Sequence, residues 1–350
     1  MYDASFAHAD FIRREPIRTW KGIRTVGAFL KQCIGILVVS LLSLPFWPLY
    51  LLMRLFWPRP PILPAPSRVF QCFRLILTEQ APHGPTAVMR LALLMELTRR
   101  TIADGFFGFA WLLDEVIWGR RLQRIEIVEP LFEISGARSG STQLARYLED
   151  DPHLVAPKAL QITFPFYWLW RIGPSLEFLL PKDWRERFAN AVLWPEHHER
   201  HEVDPLRTDT FEILFLMPFQ LGDIFMALGP RVIADYFCFS RVKEASREMW
   251  DDDFLRFIDR LGRKTLMYAE RSSEGTKRRY FIKGHFLNVV EGLAQKYPDA
   301  RFLTMLRVPE KRFQSLINFL RCQGSIAPNP PAHWAWLVEH ACTSEVDYCE

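Results

Sequence analysis

The chain has no Cys-x-x-Cys pair. Its six cysteines (Cys33, Cys72, Cys238, Cys322, Cys342, Cys349) are scattered over 350 residues. That spacing excludes a zinc ribbon, a dithiol redox motif and a dense disulfide framework. No Asn-x-Ser/Thr sequon occurs, because Asn190, Asn288, Asn318 and Asn329 all lack a hydroxyl two residues on. A heavily glycosylated lumenal domain therefore has no support. Metal-ligand spacing is missing too, and no metal is expected. Acid is scarce at the start: residues 1–77 carry 10 Lys/Arg against 3 Asp/Glu, and residues 78–350 carry 34 against 37. A formal charge of only +4, gathered in an apolar head, argues against nucleic-acid binding and favours membrane contact.

What is present is apolar surface, with 49% hydrophobic and 14% aromatic residues. That is ample for one large domain or two ordinary ones. Residues 32–53, between Lys31 and Arg54, are 22 positions without a charge, enough to cross a hydrocarbon core of ~30 Å. Trp47, Tyr50 and Trp57 lie near the far end, where aromatic side chains favour the interface. Arg13, Arg14, Arg18, Lys21, Arg24 and Lys31 precede the run, which favours a cytoplasmic N-terminus. Pro45 and Pro48 interrupt it. A kinked span, a re-entrant segment, an in-plane anchor and a buried hairpin all remain open. The run starts too far in for an ordinary signal peptide.

Trp57-Pro58-Arg59-Pro60-Pro61-Ile62-Leu63-Pro64-Ala65-Pro66 reads as a stiff, extended linker. The three-and-four spacing of Leu91, Leu94, Met95 and Thr98, then Phe106, Phe109, Ala110 and Leu113, predicts a helix over 86–124. The aromatics Phe106, Phe107, Phe109 and Trp111 read as packing rather than as a cofactor site. The expected boundaries are 1–75 (basic start, anchor and linker), 76–124 (helical extension) and 125–350 (main domain).

The most informative stretch is Leu131-Phe132-Glu133-Ile134-Ser135-Gly136-Ala137-Arg138-Ser139-Gly140-Ser141-Thr142. A short apolar strand runs into a Gly/Ser turn, and a helix begins near Thr142. Backbone N–H groups in such a turn form an anion-binding hollow, to which the helix start adds its positive end. Ser139, Ser141 and Thr142 supply hydroxyls, and Arg138 supplies charge. A nucleoside-triphosphate loop needs four residues between its glycines and a lysine after the second; this one has three and no such lysine. Triphosphate hydrolysis and a kinase are poor readings. A helix start merely capped by Ser and Gly is the plain alternative.

A second cluster lies about 150 residues on. Tyr280-Phe281-Ile282-Lys283-Gly284-His285 reads as a strand with a polar end, and Leu287, Val290, Leu293 and Ala294 fit a helix. A second strand runs from Tyr297 to Arg307, and Ser315 lies eight residues past Arg307 on the next predicted helix. Strand–helix–strand with polar groups after each strand is how a parallel sheet builds a site along its carboxyl edge.

Together these residues resemble the sulfotransferases that use 3′-phosphoadenosine 5′-phosphosulfate (PAPS), over roughly residues 130–322. Gly136, Ala137, Arg138, Ser139, Gly140, Ser141 and Thr142 look like that family's 5′-phosphosulfate loop, often written Arg-Ser-Gly-Thr-Thr. Arg307 and Ser315 look like its 3′-phosphate pair. Lys283 and His285, followed by Pro298-Asp299-Ala300-Arg301, resemble the Lys-x-x-His and Pro-Asp-Ala-Arg segment of membrane-associated and bacterial members. Three departures stand out: Ser141 for a threonine, Val308 for the aspartate after the arginine, and Gln161 near the place of a glutamate. The chain ends 43 residues past Arg307, so a short form, or a sequence incomplete at its C-terminus, is expected.

The resemblance implies a three-layer, P-loop-like α/β fold with a mainly parallel central sheet, preceded by a helical, membrane-directed extension. It implies sulfuryl transfer from PAPS to a hydroxyl of a carbohydrate, lipid or small metabolite, without a metal. Arg138 would stabilise the leaving charge, and Lys283 and His285 would face the donor. The general base is sought in Glu196–Asp204 and the segment after it, with Glu212 ahead of His201; a solvated loop and a helix-capping carboxylate are the plain alternatives. Membrane attachment through residues 32–53 implies an endomembrane or Golgi location with topology open. A catalytically inactive relative that keeps the fold as a membrane-anchored binding protein is the alternative function.

Overall fold

The N-terminal apolar run folds as two helices rather than one. The computed structural model describes residues 26–79, 85, 87–192, 203–211, 221, 222, 224, 228, 253–270, 278–285 and 289–326. Helix α1 spans Val26–Ser43 and α2 spans Phe46–Met53. Pro45 sits at the break, since its ring clashes with the preceding turn and it has no N–H to continue the ladder. Pro48 falls in the first turn of α2, where N–H groups lack helical partners anyway. Cys33–Ser43 and Phe46–Met53 are bent by 52° to each other. No single helix among the described residues is long and apolar enough to cross a membrane. The bent pair passes that test only together, by length and composition, as a broken span or a re-entrant loop would.

The proline-rich segment is not extended into solvent. Pro60 through Pro64 are buried, Ile62 completely, and Arg59 bonds the Leu63 carbonyl and the Asp253 carboxylate. Proline carries no backbone donor for burial to strand, so such a stretch enters a core cheaply. Helix α3, Pro66–Thr78, then starts with a proline in its first turn, buries Cys72 and Ile76, and exposes Phe70, Phe73 and Leu77.

Helix α4, Ala87–Arg124, is 38 residues long and carries α1, α2 and α3. Two glycines one turn apart let α2 approach. A Cβ on Gly105 would collide with the Trp47 indole, and one on Gly108 would sit 2.6 Å from the Tyr50 ring. Trp47 Nε1 donates to the Ile102 carbonyl at 3.0 Å. The expected aromatics do pack: Phe106 and Phe107 meet Phe166, and Trp111 stacks on Phe257 at 5.7 Å. At the far end Arg263 donates to the carbonyls of Leu122, Gln123 and Ile125. That satisfies acceptors a helix end leaves open.

The remaining elements are β1 (Leu131–Glu133), α5 (Ser141–Glu149), β2 (Leu154–Val155), α6 (Ala159–Thr163), α7 (Tyr167–Leu176) and α8 (Trp184–Val192). They are followed by α9 (Leu255–Ala269), β3 (Arg279–Lys283), α10 (Val290–Lys296), β4 (Arg301–Leu303) and α11 (Pro309–Ile326). The four strands form a parallel sheet in the order β2-β3-β1-β4. Phe132, completely buried, lies between Tyr297 and Phe302. One buried ion pair ties the helices to one another. Lys264 of α9 lies 2.9 Å from Asp114 of α4, 3.8 Å over the Trp111 ring, and donates to the Pro165 carbonyl at 2.7 Å. Asp114 also accepts the Tyr167 and Trp168 N–H groups at 2.6 and 3.0 Å, capping α7 from another helix.

Candidate functional site

Every strand of the sheet points the same way, so the loops after β1, β3 and β4 meet along one edge. The order places β1 between β3 and β4. The chain leaves β1 towards β2 on one side, and leaves β3 for β4 on the other. Such a reversal opens a crevice at the carboxyl ends of the strands. Register puts Glu133 beside Lys283 on one flank and beside Leu303 on the other.

The loop after β1 is pinned from three sides. The Ile134 N–H bonds the Leu303 carbonyl at 2.9 Å, and Ser135 Oγ accepts the Met305 N–H at 2.6 Å. Arg312 of α11 donates from Nε to the Ala137 carbonyl at 3.0 Å. Gly136 leaves room for the Arg312 guanidinium, which would have to move if a Cβ were present. Arg138 takes a left-handed conformation at φ 67° and Gly140 at φ 102°. Glycine adopts this region freely, whereas arginine does so at a cost. The chain then enters α5 at Ser141. Ser139 is 4% exposed, and its hydroxyl has no hydrogen-bond partner among the described residues.

The cations gather around this loop. Arg138 Nε donates to Ser315 Oγ at 3.0 Å, and Arg307 Nη1 donates to the Arg138 carbonyl at 3.0 Å. Lys283 is 1% exposed; its Nζ donates to Thr142 Oγ1 at 2.8 Å and Thr210 Oγ1 at 2.7 Å, and lies 3.6 Å from Asp209. His285 is half-buried two residues beyond, at the same strand end. Glu133 accepts the Ser135 N–H at 3.0 Å through Oε1, while Oε2 has no partner among the described residues. Burial raises the Glu133 carboxyl above its ordinary range, against the opposing pull of Ser135 and Lys283.

The structure therefore brings together the loop 136–142, Arg307, Ser315 and Lys283, residues nearly 180 positions apart at the extremes. Glu212 and His201 lie outside the described residues. Among the described residues Asp209, three positions before Glu212, and the register neighbour Glu133 are carboxylates beside Lys283. Gln161 works locally: its Oε1 accepts the Lys158 N–H at 2.9 Å and so caps α6. Val308 is exposed, and its carbonyl accepts the Arg312 N–H at 3.1 Å. Sequence reasoning missed Arg312, the Asp209–Thr210 pair and Glu133. The signals were present: Arg312 is three residues before Ser315, hence on the same side of a helix. Glu133 is a charge within an apolar strand.

No protein-family profile and no curated protein matches the chain. Among solved structures it is similar to sulfotransferase STF9 from Mycobacterium avium, at 19% identity and a TM-score of 0.50, over 81% of this chain and 69% of that one. It is also similar to sulfotransferase STF1 from Mycobacterium tuberculosis H37Rv, at 15% identity and a TM-score of 0.48, over 86% of this chain and 80% of that one. The likeness to STF9 establishes a shared fold: mixed α/β, built on a parallel sheet.

Proposed function

We propose that the chain is a sulfotransferase that moves a sulfuryl group from PAPS to a hydroxyl acceptor. One observation carries this reading. A buried Ser139 hydroxyl without a partner among the described residues sits in a loop at a helix start, with Lys283, Arg138 and Arg307 around it. A buried donor left unmatched costs free energy, and an anion in the loop would relieve that cost. The chemistry of the donor set fits a phosphosulfate. The shared fold with a protein named as a sulfotransferase supports the same reading.

The bound donor supplies a sulfuryl group already activated by its anhydride link to phosphate. This chain's residues hold and orient. The loop amides, Ser139, Thr142 and Lys283 would hold the 5′ end, and Arg138 would stabilise negative charge as it grows on the leaving oxygen. Arg307 and Ser315 would grip a 3′-phosphate, which distinguishes PAPS from nucleotides lacking that group. His285 would face the donor from the end of β3. The acceptor proton is assigned to Glu212, with His201 as the second candidate. Catalysis of this kind rests mainly on positioning and electrostatics. Carbohydrate, lipid and small-metabolite acceptors all fit.

The test is calorimetric binding of adenosine 3′,5′-bisphosphate, followed by transfer of labelled sulfate from PAPS to an acceptor panel. Losing charged hydrogen bonds worth about 1.5–3 kcal/mol should make Arg307→Ala bind the bisphosphate about 10- to 150-fold more weakly. Adenosine 5′-phosphate should bind both proteins alike. No binding of the bisphosphate to the folded chain would reject the reading. Gln161, engaged in capping α6, favours a second reading: a relative that binds the nucleotide without turnover under any acceptor.

A further inference from the structure

The surface of α1, α2 and α3 is apolar where a surface helix is ordinarily polar. Of the 26 large hydrophobic side chains exposed among the described residues, 14 fall between Ile34 and Leu77. Leu41 and Leu42 on α1 are 67% and 66% exposed, Leu55 and Phe56 after α2 are 75% and 73%, and Phe70 on α3 is 67%. Helix α3 shows the pattern most clearly. Cys72 and Ile76 are buried one turn apart, yet Phe70, Phe73 and Leu77 on its other side are exposed. All three helices pack on α4, so these side chains belong to the sides α4 leaves uncovered. A concentration of this kind marks a docking surface, since isolated exposed apolar residues are common but clusters are not.

Charge identifies what docks. From Pro16 to Thr78 the sequence has no Asp or Glu over 63 residues, yet contains eight Lys/Arg: Arg18, Lys21, Arg24, Lys31, Arg54, Arg59, Arg68 and Arg74. Arg74 is exposed beside Phe73 on α3. Arg59 is taken up by Asp253, and Arg18, Lys21 and Arg24 lie outside the described residues. An apolar face that exposes Arg74, drawn from a segment without acid, still matches an anionic lipid surface, where acyl chains take the side chains and headgroups take the charge. The geometry also favours lying in the plane of the surface over crossing it. Trp47 and Tyr50 are seated against Gly105 and Gly108 of α4, so the inner side of α2 belongs to the protein. Leu55, Phe56, Phe70 and Phe73 lie outside the apolar run 32–53, and a span restricted to that run would leave them in water.

We propose that α1, α2 and α3, with the Leu55–Phe56 turn, form one monotopic docking face for anionic bilayers. The inference is independent of the donor site. It is tested by flotation of the purified full chain with phosphatidylcholine vesicles and with phosphatidylcholine–phosphatidylglycerol vesicles. The chain should float with the anionic vesicles and much less with the neutral ones. Leu55→Glu with Phe56→Glu, and separately Phe70→Glu with Phe73→Glu, should each lower partition about tenfold or more, because buried apolar area sets such affinity. Both variants should keep the circular dichroism and bisphosphate binding of the parent, and the milder Leu55→Ser with Phe56→Ser guards against misfolding. Three results would overturn the proposal: no vesicle binding, equal binding by the variants, or a dimer that both variants dissociate. Loss of bisphosphate binding alone would count against the sulfotransferase reading and leave this face intact.

Discussion

Lys283 shows what a single side chain does at this edge. It is buried, yet it joins α5 through Thr142 to the 208–211 segment through Thr210 and Asp209. Its register neighbour Glu133 carries the opposite burden, since burial lifts its carboxyl above the ordinary range and Ser135 and Lys283 only partly offset this. In the unfolded chain Glu133 loses its proton near the usual value; folded, it holds the proton to higher pH. Over the window between those two values the native state binds more protons, so its stability falls as pH rises. Glu133→Gln should remove that fall. Urea unfolding from pH 4 to 8 should show a shallower decline in the variant than in the parent, and identical slopes would refute it. That Arg138, Arg307 and Ser315 come together was readable from the sequence, because their types and spacing are distinctive. Arg312 offered only its spacing from Ser315, since its contact with Ala137 and Gly136 exists only once α11 has docked.

Elements were legible where a local pattern suffices. The periodicity over 86–124 agrees with α4 to within a residue at each end, because a helix of that length writes its apolar spacing many times over. The strands at 131–133, 279–283 and 301–303 and the helices after them also follow the expected order. The contacts between elements did not show. Gly105 and Gly108 read as weak points in a helix but serve as seats for Trp47 and Tyr50. Gly108→Leu would force α2 away from α4, and overpacking of this kind should destabilise by about 1–3 kcal/mol. A lowered melting temperature with the bisphosphate affinity unchanged is the expected result. Asp114 and Lys264, both fully buried and 150 residues apart, join α4, α7 and α9. Removing one partner strands a buried charge, so Asp114→Ala should cost about 3–5 kcal/mol in chemical denaturation. Asp114→Asn, which keeps one acceptor for the α7 N–H groups, should cost less.

For the whole molecule, the uneven charge noted from composition corresponds to two different surfaces. The acid-poor head is apolar outside and cationic in sequence, while the nearly neutral remainder gathers Arg138, Lys283 and Arg307 at one sheet edge. Net charge could not reveal either, since it averages over distance. The sequence by itself determined the residue types of the loop, the strand–helix order, the length of α4 and the break at Pro45, because each depends on residues adjacent in the chain or on a short repeat. Tertiary structure alone decided that Pro60 through Pro64 are buried, that Gln161 caps its own helix, and that Asp209 lies against Lys283. It also decided that the 22-residue apolar run becomes a bent pair packed on α4. Those outcomes depend on which distant surface is available to pack against, and no local pattern encodes that.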